Sequence, residues 1–64
     1  MSRIGDNIRA ARKRAGLSQL QLAQKAGITK AAISRYESGL REPRLEHLKS
    51  ISEVFGVTTD ELMG

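Results

Sequence analysis

Apolar residues recur along this chain at steps of three and four positions and almost never alternate, a pattern typical of short helices and not of strands. The first apolar stripe is formed by Ile4, Ile8, Ala11 and Ala15. Gly16 follows this stripe, and glycine suits the left-handed backbone position just past a helix end. The pattern therefore predicts a first helix over about residues 4–14.

Two capping residues predict where the second and third helices begin. Ser18 is followed three positions later by Gln21, the spacing of a capping box, and predicts a helix over about residues 19–26. Thr29 can cap a third helix over about residues 30–37. A glycine stands close behind each of these predicted ends, as expected where a helix stops.

The C-terminal part of the chain carries the same kinds of signal. A fourth helix is predicted by Leu45, Leu48, Ile51 and Phe55, and Gly56 closes it. Thr58 and Glu61 again have the capping-box spacing and predict a short fifth helix. We therefore predict an all-α fold, a compact bundle of five short helices that occupies residues 1–64 as a single domain.

The second and third helices are joined by only three residues, with Gly27 where the chain must bend, and this connection predicts a helix-turn-helix. At about 100° per residue, Ala32, Ile33 and Tyr36 fall on one side of the third helix and small or basic residues on the other. The bare side carries Lys30, Ala31, Ser34, Arg35 and Ser38. In a helix-turn-helix the second helix of the pair can enter a DNA major groove, so this side is predicted to face DNA.

The charge distribution also points to a polyanion. Residues 1–35 carry eight Lys and Arg residues against one acidic residue, whereas residues 36–64 carry three against six. Clustered cations gain affinity for phosphate by releasing counterions. A small protein also needs surface charge for solubility, so charge alone leaves both interpretations open.

Several classes of function lack their sequence signatures. The chain has no cysteine and a single histidine, His47, which is predicted to lie at the surface or its boundary, so no metal site is predicted. No acid pair in a recognisable site, nucleophile elbow or glycine-rich phosphate loop is found, and we predict neither an enzyme nor a cofactor nor a small-molecule site. No apolar run approaches the roughly 20 residues that span a bilayer, so we expect a cytoplasmic protein without membrane contact.

Two segments resemble the lambda-repressor-like helix-turn-helix family, which includes phage repressors, Cro proteins and many bacterial regulators. The segments are LSQLQLAQKAGITKAAISRYESGLREP and, downstream, LEHLKSISEVFGVTTDELM. The resemblance covers essentially the whole chain and implies that the third helix docks in the major groove while the second lies across the DNA backbone. The third helix differs from the glutamine-rich recognition helices of some phage relatives, so the resemblance transfers no operator sequence.

The resemblance implies a role for each matching position. The residues implied to contact bases are Lys30, Ala31, Ser34 and Arg35. The residues implied to contact the DNA backbone are Arg12, Gln19, Thr29, Ser38, Arg41 and Arg44. Arg12 is also implied to form an orienting ion pair with Glu37. Tyr36 is interpreted first as a core residue, and a phosphate is the second candidate role for its hydroxyl.

One unit of this size offers few base contacts, and related proteins pair about a two-fold axis, so we expect a homodimer at least on DNA. The candidate dimer surface consists of Phe55, Val57, Leu62 and Met63, and the alternative is packing against the first helix in the monomer, for Leu62 above all. The predicted function is sequence-specific binding of double-stranded DNA as a transcriptional regulator, most simply a repressor at a near-palindromic operator. The alternative is a protein- or RNA-interaction module of the same fold, such as an antitoxin or an accessory subunit.

Overall fold

The computed structural model describes residues 3–64, which form five helices and no strand. The helices are α1 (Arg3–Arg14), α2 (Gln19–Ala26), α3 (Lys30–Ser38), α4 (Leu45–Phe55) and α5 (Thr59–Met63). The predicted all-α bundle is confirmed, with α1 starting one residue earlier and α3 ending one residue later than expected. Residues 1 and 2 of the predicted domain lie outside the described residues. None of the described helices is long and apolar enough to span a bilayer.

Side-chain caps start three of the helices as the sequence predicts. The Ser18 hydroxyl accepts a hydrogen bond from the Gln21 backbone N–H at 3.0 Å, and the Gln21 side chain accepts one from the Ser18 N–H at 2.8 Å. Thr58 and Glu61 form the same reciprocal pair. Thr29 Oγ1 accepts from an N–H of the first turn of α3 at 3.1 Å. Because these bonds satisfy N–H groups that a helix start leaves without a partner, they fix where α2, α3 and α5 begin.

The core lies where all five helices meet. Its fully buried aliphatic side chains are Ile8, Leu22, Ile33 and Ile51, one from each of the first four helices. Leu62 brings α5 into the same cluster. Two members of the predicted apolar stripes lie outside it. Ala15, which follows the end of α1 at Arg14, is exposed, and Leu45 is exposed at the start of α4.

Two glycines set the position of α3. Gly27 ends α2 with φ at 69°, in the left-handed region that glycine adopts readily, so the chain turns sharply towards Thr29. Gly5 lies where α1 crosses α3, and a Cβ at this position would collide with the backbone oxygen of Tyr36 and lie 3.1 Å from that of Glu37. The close approach holds one side of α3 against α1, and the opposite side therefore faces solvent.

Candidate nucleic-acid interface

α3 has one buried side and one exposed side, in agreement with its helical spacing. Ile33, Tyr36 and Glu37 are buried, and Ala32 is half-buried. The exposed side carries Lys30, Ala31, Ser34, Arg35 and Ser38. This surface has two cations, no acid and otherwise small side chains. A ridge of this composition can approach the floor of a major groove closely, where arginine and lysine recognise guanine and a small apolar group recognises the thymine methyl.

The hydroxyl groups at the two ends of α3 differ in what they can still donate. Thr29 Oγ1 accepts its capping bond, so the hydroxyl hydrogen of Thr29 is available for a phosphate oxygen. The Ser38 hydroxyl donates to the Arg35 carbonyl at 3.1 Å and must exchange that bond to reach a phosphate. Contact of either residue with the DNA backbone stays a prediction.

Glu37 joins three helices beneath the exposed side of α3. Its carboxylate accepts from Arg12 Nε at 2.7 Å and from Arg12 Nη2 at 3.0 Å. Gln19 Nε2 donates to the same carboxylate at 3.2 Å, and Arg9 Nε lies 3.5 Å from it. Arg12 Nη1 also donates to the Leu17 carbonyl at 2.8 Å. These contacts tie α1 and the start of α2 to α3, and we call Arg9, Arg12, Gln19 and Glu37 the Glu37 cluster.

The Glu37 cluster is charged and carries a surplus positive charge. Burial raises the pKa of the Glu37 carboxyl, but the hydrogen bonds from Arg12, Gln19 and Arg9 and the charge of Arg12 outweigh burial and hold that pKa below its ordinary value. The hydrogen bond with Glu37 raises the pKa of Arg12. One carboxylate therefore faces two guanidinium groups, and the side chain of Arg9 is 44% exposed. The cluster can attract a phosphate even though its acid is fully paired.

Arg9 is a member of this cluster that sequence reasoning missed. Its signal was its position three residues before Arg12, since residues at that spacing are neighbours on a helix. Gln19, in contrast, lies where the resemblance places it, as the first residue of α2. The Glu37 carboxylate accepts a hydrogen bond from the side-chain amide of Gln19. The backbone N–H groups at the start of α2 also favour an anion near Gln19.

The segment between α3 and α4 adds cations beside the C-terminal end of α3. Arg41 and Arg44 are exposed and, with Arg35, line a recess of about 210 Å³ that also includes Tyr36 and His47. The Tyr36 hydroxyl lies 2.6 Å from His47 Nδ1. Tyr36 is buried, in agreement with its interpretation as a core residue, and its hydroxyl has a partner within the protein. His47 is half-buried, as expected for a residue at the boundary of the surface.

The candidate dimer surface is only partly accessible. The assignment of Leu62 to it is wrong, because this side chain is buried in the core where α5 packs against α1 and α4. Phe55 and Val57 are half-buried against the core, and Met63 is 42% exposed. More exposed apolar side chains that sequence reasoning missed are Leu40, at 81%, Leu45, at 64%, and Leu20, at 50%.

This surface presents cationic and amide hydrogen-bond donors, which can bind an anion. Within residues 3–64, no group of His, Asp or Glu side chains could hold a metal ion. The donors come from all of the first three helices and from the segment that follows them. They are the exposed side of α3, the Glu37 cluster, and Arg41 with Arg44.

The chain matches a family model described as helix-turn-helix over residues 8–62. This range reaches into all five helices and covers most of the chain. The chain therefore belongs to the lambda-repressor-like helix-turn-helix family, whose members are DNA-binding transcription regulators.

Individual relatives agree with this assignment. The chain is 49% identical over 47 residues to the HTH-type transcriptional activator BcrR of Enterococcus faecalis. These 47 residues make up 73% of this chain and 23% of BcrR. It spans between 23% and 56% of the length of the first curated relatives.

Two solved structures of DNA complexes are similar in fold. SinR, described as the master regulator for biofilm formation and crystallised with DNA, is 35% identical with a TM-score of 0.91, over 95% of this chain and 98% of that chain. SinR comes from Bacillus subtilis. The P22 c2 repressor bound to a synthetic operator is 33% identical with a TM-score of 0.89, over 94% of this chain and 91% of that chain.

Proposed function

We propose that this chain binds double-stranded DNA in a sequence-specific manner as a transcriptional regulator, most simply as a repressor that occludes promoter DNA. The observation that carries the proposal is the exposed side of α3, which is cationic and free of acids on a helix-turn-helix whose inner side is fixed by the core. In this proposal residues 1–64 act as one DNA-binding unit, and the cytoplasm is the compartment in which it meets DNA.

In the proposed complex α3 lies in the major groove. Lys30, Ala31, Ser34 and Arg35 are the base-contacting residues, since their side chains line the exposed side of the helix. Arg35 fits the O6 and N7 edge of a guanine with two hydrogen bonds, and Ala31 fits a thymine methyl. Lys30 stands in the first turn of α3, where a recognition helix approaches base edges.

The proposed backbone contacts surround α3 on both sides. They are Arg12, Gln19, Thr29, Ser38, Arg41 and Arg44. Arg12 acts chiefly through Glu37, because its guanidinium is already engaged there and on the Leu17 carbonyl. Gln19 is supported as a phosphate contact by its place at the start of α2 and by the carboxylate that orients its amide.

We further propose that two copies bind one operator as a homodimer. Recognition helices about 34 Å apart would read half-sites one turn apart. The Cα body of the described residues measures 22 × 22 × 21 Å, so two copies placed side by side would span that separation. Phe55, Val57 and Met63 remain the proposed contact between copies.

The proposal is tested by selection from a randomised duplex library with the purified chain at physiological salt, followed by sequencing of the retained DNA. We expect an inverted repeat whose half-sites are one helical turn apart. A single half-site would contradict the dimer but keep specific recognition. Retention without any motif, lost as salt rises, would show attraction to phosphate alone and would favour a protein- or RNA-interaction module.

A further inference from the structure

The hydrogen bond between Tyr36 and His47 fixes an imidazole at the edge of the proposed interface. Tyr36 is buried in the core, whereas its hydroxyl reaches His47 Nδ1 at 2.6 Å. The two rings are tilted by 54° with their centroids 5.9 Å apart. This arrangement occupies one ring nitrogen of His47. Its other nitrogen, Nε2, makes no hydrogen bond within the described residues.

The recess around His47 has the composition of an anion site. It is lined by Ala32, Arg35, Tyr36, Arg41, Arg44 and His47. Three guanidinium groups and one imidazole therefore border it, and no acidic residue does. The acid next to His47 along α4 is Glu46, which lies 3.9 Å from Arg44, and both of these side chains are exposed. At about 210 Å³ the recess can admit a phosphate group.

We propose that this recess binds a phosphate of the DNA backbone, with His47 Nε2 as a donor beside Arg41 and Arg44. The inference rests on the proposed function, because the recess adjoins the C-terminal end of α3 and would meet the strand that borders the groove. Tyr36 is the positioning residue. While its hydroxyl donates to Nδ1, the proton of the neutral ring is on Nε2 and points away from the core.

Phosphate binding in this recess is coupled to uptake of a proton by His47. Tyr36 contacts the ring, and the charged groups that line the recess with it are Arg35 from α3 and Arg41 and Arg44 from the segment before α4. A phosphate bound in the recess favours a positive charge on the ring. After uptake, Nδ1–H donates to the Tyr36 oxygen and Nε2–H donates to the phosphate. The affinity for DNA should therefore rise as pH falls.

The pH dependence can be assigned because His47 is the only histidine of the sequence and because replacing it leaves every other group that titrates in this range, such as an α-amino group, in place. The experiment measures the dissociation constant of the full chain by fluorescence anisotropy at constant ionic strength, from about pH 8 to about pH 6, the range in which histidine changes charge. One labelled duplex of about 30 base pairs carries the site recovered by selection, and a second carries a scrambled sequence. Phosphate contacts carry no sequence information, so both duplexes report on the recess.

We expect the wild-type chain to bind both duplexes about threefold to tenfold more tightly at the lower pH, because protonation turns the neutral hydrogen bond from Nε2 to phosphate into a charge-assisted one. His47→Gln should abolish this increase. Tyr36→Phe, which keeps the buried ring and removes the hydroxyl, should reduce it. Circular dichroism at both pH values restricts the comparison to folded protein, so that loss of structure is not read as loss of a contact.

A matched control separates a phosphate ligand from added charge in general. Lys25→His in the His47→Gln background places a titrating imidazole at an exposed position of α2, outside the recess. We expect this double variant to show no increase. A wild-type affinity independent of pH, an increase that survives His47→Gln, or its recovery in the double variant would overturn the inference. A failure of the proposed function can be told apart from a failure of this inference. If the chain does not bind DNA sequence-specifically, the selection recovers no motif. The pH dependence of binding to the scrambled duplex still tests the role of His47 in that case.

Discussion

Replacing Glu37 with glutamine removes one buried charge and keeps the shape of the side chain. The carboxylate accepts two hydrogen bonds from Arg12, and its side chain has no exposed surface. Glutamine offers one oxygen and one NH₂ group in place of two oxygens. At least one N–H donor of Arg12 therefore faces an NH₂ group, which is also a donor, and loses its hydrogen bond. Arg12 then keeps the Leu17 carbonyl but loses its counter-charge, and Arg9 stands nearby with the same sign.

The stability that Glu37→Gln is expected to remove is a large share of the chain's total free energy of unfolding. Removing one partner of a buried ion pair costs about 3–5 kcal/mol, and we expect about 3 kcal/mol here because the Arg12 side chain is 13% exposed and retains its bond to Leu17. At about 0.05–0.15 kcal/mol per residue, a chain of 64 residues has a free energy of unfolding of about 3–10 kcal/mol. Glu37→Gln should therefore lower the Tm by about 12–24 °C.

The assay is urea unfolding followed by helical circular dichroism, at about pH 7 and about pH 3. The pKa of Glu37 is lowered in the folded state, so its stabilisation is complete above the unfolded-state pKa of about 4.3 and is lost as pH falls through the lower folded-state value. The difference in the free energy of unfolding between the wild type and Glu37→Gln should therefore be smaller at the acidic pH. Glu53→Gln, at an exposed acid of α4, is the matched control and should change stability by less than about 0.5 kcal/mol. A deficit below about 1 kcal/mol at neutral pH, or one of equal size at both pH values, would refute the reasoning.

Other substitutions test the interface and the fold separately. Arg35→Ala should cost about 1–3 kcal/mol of DNA binding and relax the preference at one base position, and unchanged preferences in a second selection would remove Arg35 from the base-contacting residues. Gln19→Ala should weaken binding to all sites alike, so a changed preferred sequence would contradict a phosphate contact. Gly5→Ala should lower the Tm, because the added Cβ collides with the backbone oxygen of Tyr36, and a backbone atom cannot rotate away as a side chain can. This collision should outweigh the gain of about 1 kcal/mol in helix propensity that alanine brings. A Tm at or above that of the wild type would contradict this. Ser18→Ala removes the cap of α2 and should cost about 1 kcal/mol in the same thermal unfolding, whereas an unchanged Tm would show that the cap contributes little.

The local elements of this protein were predictable because their signals are local. The capping boxes at Ser18 and Thr58 act between residues three positions apart, and the structure forms both. The exposed side of α3 followed from helical geometry alone, since a fixed rotation per residue determines which side chains share a side. The two predicted core residues that are exposed, Ala15 and Leu45, lie at the ends of helices. The helical period predicts burial less well there, because no further turn of the helix continues the buried stripe.

The sequence by itself determined the five helices, the helix-turn-helix and the basic side that α3 presents, because each depends on residues only a few positions apart. The resemblance implied one pair of distant side chains, Arg12 with Glu37, and only the tertiary structure decided which others meet. Gln19 and Arg9 converge on Glu37, Tyr36 reaches His47, and Leu62 enters the core. These contacts depend on where the helices cross and on how α5 folds back, and the sum of many small packing contacts fixes those crossings.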